Sequence, residues 1–317
     1  MSAMNKIKQF ALAYVPGMET LRDLRNKIRY VNELEARLSR LCAPGMETLR
    51  DLRNKIRYAN GLEARLFRLE ESLLPALTAQ LLNKLAPYQS PSTPLIRVGN
   101  KYDGGYIMGD IFGQVDAAYS FGIAHDVTWD KDIAERSIPV FMYDHTIDGL
   151  PEEHENFHFF KIGICGKPNI KGMKDISTLI HENGHQGKTL LMKMDIEGSE
   201  YPAIQALTEE EVSQFTQIAL EIHDLQNLLF DAEKHFMISQ CLEKILQHMH
   251  CVHIHANNFG WVAERNGISV PVVLELSFIR KDMAVDFQRT DKLRTDLDAP
   301  NNPKIQEIDV HNLWKQI

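Results

Sequence analysis

Apolar positions change their rhythm along the chain. In the first 69 residues they recur at helical spacing, at Leu21, Leu24, Ile28, Val31, Leu34, Leu38 and Leu41, and again at Leu49, Leu52, Ile56, Ala59, Leu62, Leu66 and Leu69. The two stripes are copies. PGMETLRDLRNKIRY at 16–30 returns unchanged at 44–58, and VNELEARLSRL is answered 28 residues later by ANGLEARLFRL. Repeats at 16–43 and 44–71 predict two amphipathic helices broken at Pro44-Gly45, folded as a hairpin or paired between subunits as a coiled coil. The register is imperfect, since Glu35 and Glu63 fall where a strict heptad wants an apolar residue. A further helix over 70–86 runs to Pro87, and PYQSPSTP (87–94) reads as a linker. The pattern therefore divides the chain into a helical arm, 1–86, and a main domain, 87–317.

Beyond residue 95 short apolar runs alternate with amphipathic ones. The runs AAYSFGI (117–123), PVFMYD (139–144), NFHFFKIGI (156–164), TLLMKMD (189–195), TQIALEIH (216–223), CVHIHANN (251–258) and PVVLELSFIR (271–280) read as strands. Between them, TWDKDIAERS, DISTLIHENG, SEYPAIQAL with EEEVSQF, and AEKHFMISQCLEKILQHM (232–249) read as helices. This alternation predicts an α/β fold, a mostly parallel sheet with helices on both faces.

Charge sharpens the division. The net charge of -8 hides a basic arm, where residues 1–69 hold 14 Lys+Arg against 7 Asp+Glu, and an acidic remainder. An acidic main body argues against nucleic acid as a partner, whereas the basic arm suits self-association over 16–86 or contact with an anionic membrane surface. No apolar run is long enough to span a bilayer, and the start MSAMNKIKQFALAYV has neither the apolar core nor the cleavage site of a signal peptide. Four scattered cysteines, Cys42, Cys165, Cys241 and Cys251, form no CxxC pair. They argue against a zinc cage or a disulfide framework and predict a cytoplasmic protein, with the inner membrane face as a peripheral location.

In such a sheet, ligands bind beyond the carboxyl ends of the strands. Here those ends carry Gly122 to Asp126, Asp144, Asp195 with Glu197, and Glu221 with His223 and Asp224. Gly122 lets something approach the backbone after the first strand, but SFGIAHD is not GxGxxG and makes a poor pyrophosphate cradle. That lowers a nicotinamide oxidoreductase reading. Asp144 closes the second strand, where an acid can accept bonds from ribose hydroxyls, and a nucleoside-like ligand without phosphates suits the pair.

The segments RVGNKYDGGYIMGD (97–110), YSFGIAHDVTWDKDIAER (119–136), MYDHT (142–146), LLMKMDIEGSEYPAI (190–204), IALEIHDL (218–225), HIHANN (253–258) and VVLELSFIR (272–280) resemble the FkbM-type and related S-adenosylmethionine-dependent methyltransferases. The resemblance spans about 97–280, and MDIEGSE is its most specific block. It implies a seven-stranded Rossmann-like sheet whose last strand is antiparallel, S-adenosylmethionine as methyl donor, and a hydroxyl acceptor on a saccharide such as a capsule or lipopolysaccharide precursor. The implied cofactor contacts are Asp103, Gly104, Gly105 and Tyr106 as a cap, Gly122, Ile123, His125 and Asp126 in the first loop, Asp144 with His145, and Asp195 beside the methyl group. His125 departs from the small residue often found there.

A sugar hydroxyl is a weak nucleophile and needs a general base or a metal that lowers its pKa. Glu221 and His223, two apart on one strand, share a face, and Asp195 ends a neighbouring strand. Asp195, Glu221, His223 and His255 are the candidate catalytic residues. Asp195, Glu221 and His223, with Asp224 beside them, offer a Mg²⁺ or Mn²⁺ site, and His255, Asn257 and Asn258 could add ligands or hold the acceptor. A scaffold whose main domain has lost catalysis is the competing expectation. The acids at the strand ends count against it.

Overall fold

The computed structural model describes residues 71–167 and 170–310. The chain falls into two compact units, 1–73 and 74–317. The repeats up to residue 70, and most of the self-association expected of 16–86, lie outside the described residues. The second unit begins at Leu74, inside a helix.

It opens with helix α1, 71–84, whose residues Leu74, Leu81 and Leu82, followed by Leu85, are at most 3% exposed. This is one apolar stripe at helical spacing, facing a core. Thr78 Oγ1 reaches the Leu228 carbonyl at 2.9 Å. The compact unit therefore starts at Leu74, not at residue 87, because α1 supplies core leucines. Nor is 87–94 a free linker. Strand β1 (Tyr88–Gln89) pairs with β15 (Gln288–Arg289), Tyr88 stacks on His250 at 4.0 Å, and Ser90 Oγ donates to Asp286 at 2.5 Å.

A hairpin follows, β2 (Leu95–Val98) with β3 (Tyr106–Gly109). Then come β4 (Ala117–Phe121), α2 (Thr128–Ala134), β5 (Val140–Tyr143), β6 (Phe157–Phe160), β7 (Gly163–Ile164), β8 (Met173–Lys174), α3 (Ile176–Glu182) and β9 (Leu190–Met194). The expected single strand at 156–164 is thus two. Only β6 joins the main sheet, while β7 pairs with β8. Next are α4 (Glu200–Ala206), α5 (Glu209–Gln214), β10 (Phe215–Ile222), α6 (Asn227–Phe230), α7 (Ala232–His248), β11 (Met249–Ala256), a hairpin of β12 (Val262–Arg265) and β13 (Ile268–Pro271), and β14 (Leu274–Arg280).

The seven-stranded sheet runs in the order β11-β14-β10-β9-β4-β5-β6. Pairs within β10-β9-β4-β5-β6 are parallel, and β14 is antiparallel to both β10 and β11. The chain builds outward from β4 through β6, then returns to β9 on the other side of β4. That reversal leaves a crevice beyond the carboxyl ends of β4 and β9.

Alternation along each strand divides the core. Tyr119, Phe121, Met192, Met194, Leu220 and Leu276 face a layer that includes Leu82 of α1, Leu179 of α3, Ile204 of α4 and Leu242 of α7. Ala118, Val140, Met142, Leu191 and Ala219 face α2 and the β2–β3 hairpin. Helices therefore cover both faces. Toward β10, β14 and β11 this second face turns polar, with Gln217, Glu221, Glu275, Ser277, His253 and His255 all buried. Gln217 explains part of the pattern. Its amide bonds the Gly109 N–H at 2.9 Å and the Gly109 carbonyl at 3.0 Å, docking the β2–β3 hairpin on the sheet. The C-terminal segment covers the rest, with His253 bonding Asp298 at 2.9 Å and Asn258 holding the Asn302 carbonyl at 2.9 Å.

Among the described residues no helix is long and apolar enough to cross a membrane. Cys165, Cys241 and Cys251 are free and buried.

Candidate functional site

The carboxyl ends of β4, β5, β9 and β10 bring most of the expected residues together. After β4 the chain turns at Gly122, with φ +80. A Cβ there would lie 1.6 Å from the Asp195 carbonyl oxygen. The glycine is thus demanded by the neighbouring strand end, where a ligand had been expected to require it. A Gly122→Ala variant is expected to lose at least ~2 kcal/mol of stability, from left-handed backbone strain plus displacement of the β9 end. Urea unfolding measures this loss.

Asp144 clamps the same loop. Its Oδ2 accepts from the N–H groups of Ile123 and Ala124 at 2.8 and 2.9 Å, and its Oδ1 from the N–H and hydroxyl of Thr146 at 2.7 and 2.6 Å. Burial opposes the charge, but these four donors outweigh it and bring the Asp144 pKa down to about 2. Asp126 is similarly engaged, accepting from Asn100 Nδ2 at 2.9 Å and from the Thr128 N–H at 2.7 Å. It ties the DGGY loop to the first loop, where Gly104 packs against its carboxylate. Ile123 is buried, whereas His125 and His145 are exposed at the rim. Asp103 is exposed, and Tyr106, in the β2–β3 hairpin, is buried.

The β9 end is the densest part. Lys193, in the middle of the apolar strand, donates to the Gly122 carbonyl at 2.6 Å. Beyond Met194, Glu197 has φ 55, and beyond β10 Asp224 has φ 60. Ala124, with φ 48, marks the first loop in the same way. Left-handed backbone at non-glycine residues costs energy and tends to gather at functional sites. Ser199 precedes α4 without a side-chain cap. Instead Glu200, fully buried, takes the Ile196 and Gly198 N–H groups at 3.2 and 3.1 Å.

His223 stands among four carboxylates. Its Nδ1 is 3.0 Å from Glu200 Oε1. Its Nε2 lies 3.5 Å from Glu197, 3.5 Å from Glu221 and 3.9 Å from Asp195 Oδ1. Burial disfavours the imidazolium, but the bonds and charges of Glu200 and Glu221 prevail and push its pKa up to about 11. Burial pushes the Glu221 carboxyl up to about 8, helped by Asp195 and Glu275 against the pull of His223. Burial also raises Asp195, with Lys193 and His223 opposing. Asp195 Oδ1 is buried with no hydrogen-bond partner among the described residues.

Asp195, Glu197 and His223 each present a ligand atom, all within 4.8 Å of one another. With Nδ1 committed to Glu200, Nε2 faces the carboxylates, which is how a metal-binding histidine is held. The unpartnered Asp195 oxygen and this donor set fit a hard divalent cation. Glu197 thus joins Asp195 and His223 in the group, and Glu221 stands behind His223.

His255 is placed elsewhere. Its Nδ1 is 3.2 Å from Glu275 and its Nε2 2.8 Å from Glu307. Both nitrogens are committed, so the ring anchors the C-terminal segment. Burial lowers its pKa, but the two glutamates outweigh it and push the value up to about 10. A raised folded pKa stabilises fully below the unfolded value near ~6.5 and ceases to do so above the folded one. The melting temperature is therefore expected to fall as pH rises from ~6.5 through about 10. A His255→Gln variant should show a flatter profile over that window in thermal scans.

Lys193, Glu200, Glu275 and Glu307 were not among the expected site residues. Lys193 was visible as a lone charge inside LLMKM, and Glu275 as a lone acid inside VVLELSF. No family model matches the chain, and no curated protein matches it.

Proposed function

We propose that the α/β unit is an S-adenosylmethionine-dependent O-methyltransferase acting on a saccharide hydroxyl. The observation that carries the reading is the sheet itself. Seven strands reverse direction at β14, the last to enter, and polar residues gather at the strand ends of the β4/β9 switch point. This is the architecture implied by the resemblance of the DGGY, SFGI and MDIEGSE segments.

In this reading the loop 122–126 would receive the adenosyl group, and Asp144, whose two oxygens are filled by four donors, would shape that loop in place of the expected ribose contact. S-adenosylmethionine would supply the methyl group, and the acceptor oxygen that takes it would have to give its proton to a base. With no cation bound, the Glu200 and Glu221 carboxylates hold the proton on His223, which makes it a poor base; to hold a cation through Nε2 it would have to give that proton up. Asp195, with a free buried oxygen, can accept it. Glu200 fixes the His223 ring, and Lys193 fixes the loop carbonyl at Gly122. A divalent cation at Asp195, Glu197 and His223 would lower the pKa of the acceptor hydroxyl.

Calorimetric titration with S-adenosylhomocysteine, with and without Mg²⁺ and with NAD as control, tests the reading. Saturable binding near one site per chain is expected. A folded sample that binds no S-adenosylhomocysteine sinks it and favours the scaffold.

A further inference from the structure

We propose that Asp103, Glu221 and Glu275 form a second site for a hard divalent cation, separate from the Asp195–Glu197–His223 group. It does not depend on the methyltransferase reading.

Glu221 and Glu275 are direct partners in the antiparallel β10–β14 ladder, and each is 6% exposed. Like charges placed opposite one another destabilise a strand pair, and burial raises the cost. Asp103 adds a third carboxylate from the DGGY loop, and one oxygen from each of the three lies within 4.8 Å of the other two. An acidic cluster alone says little, but two neutral oxygens accompany this one. The Tyr106 hydroxyl is buried without a hydrogen-bond partner among the described residues, and the charges acting on it are those of Glu221, Asp195, Glu275 and Asp103. Asn301 is 4% exposed, and its Oδ1 is also buried and unpartnered. Its Nδ2 meanwhile donates to Asp103 Oδ1 at 2.9 Å and Glu275 Oε1 at 2.5 Å.

A buried polar atom with no partner is costly to leave unsatisfied. Asn301 meets two of the three carboxylates through its Nδ2, and a cation held by the carboxylates would offer the Tyr106 hydroxyl a partner. The donor chemistry selects the metal class. Every group is an oxygen, and the adjacent imidazole of His255 is already held by Glu275 and Glu307. That set suits Mg²⁺, Mn²⁺ or Ca²⁺ and not zinc. A cation there would offset the paired glutamates. It would also pin three separate stretches, the loop at Asp103, the β10–β14 pair and the C-terminal segment at Asn301.

The test uses the full chain, stripped of metal by chelation and titrated with Mn²⁺ while free Mn²⁺ is followed by electron paramagnetic resonance. Glu275→Gln and Asp103→Asn are each expected to remove one equivalent of bound Mn²⁺, or to weaken it by about tenfold or more, while Glu197→Gln spares that equivalent. Asp103 is exposed, so its variant reports even where the Glu275 variant fails to fold by circular dichroism. One equivalent lost in the Asp103 and Glu275 variants and kept in Glu197→Gln supports this site, whatever happens to S-adenosylhomocysteine binding. Unchanged Mn²⁺ binding in Asp103→Asn, loss of all Mn²⁺ in Glu197→Gln, or no binding by the wild-type chain overturns it.

Discussion

Replacing Asp195 by asparagine is expected to cut methyl transfer by about 10²–10⁴-fold while leaving S-adenosylhomocysteine affinity within a few-fold. The substitution keeps the shape of the side chain and removes its charge and its basicity. Oδ1 has no hydrogen-bond partner to lose, so the fold should persist. What changes is the β9 end of the crevice, where the carboxylate faces His223 Nε2 at 3.9 Å and burial holds its pKa up. A group that acts only once the acceptor's proton begins to leave contributes to kcat more than to binding. Glu197→Gln is the contrast. Glu197 belongs to the same group but is exposed, where lost charge is partly replaced by water. Transfer of a labelled methyl group to a saccharide acceptor measures both variants. An Asp195→Asn enzyme turning over at the wild-type rate would remove Asp195 from the chemistry.

Much of this crevice was legible because its residues sit at strand ends. Asp144, Asp195 and Glu221 each close or nearly close an apolar run, and a parallel sheet gathers such ends by construction. What the run itself does not disclose is which donors each acid already holds. Asp126 and Asp144 look alike as strand-end acids, yet both are spent on organising loops. His255 was expected in the site from its place on the HIHANN strand. Alternation records only which face a residue is on, and that face turned out to be covered by the C-terminal segment. The hairpin of β12 and β13 was missed despite a strong signal, since Asn266-Gly267 turns it with φ 51 and 78. Asn-Gly between strand-like runs is the favoured two-residue turn. The split at 156–164 was harder to see. NFHFFKIGI is one apolar run, and nothing local states that Phe160 ends its pairing with β5.

Composition misled most at the domain boundary, and the correction has a large expected consequence. A chain starting at residue 74 should fold and unfold cooperatively, whereas one starting at 87 should not. The Pro/Ser stretch at 87–94 invites the later cut, yet the cut would remove Leu74, Leu81, Leu82 and Leu85 from the core. Truncating a single buried leucine to alanine costs about 2–5 kcal/mol. Losing four together, about 8–20 kcal/mol, is as large as the ~5–15 kcal/mol that holds a typical domain. The lost side chains also protect others. α1 packs in the layer that holds Leu220, Ile222 and Leu228, and Thr78 meets the Leu228 carbonyl just before α7. Exposing that layer loosens the end of β10, where Glu221 and His223 are set. Circular dichroism melts of the two truncations decide the matter. A sharp melt from the 87–317 chain at the temperature of the 74–317 chain would return α1 to the arm and leave the core without need of it.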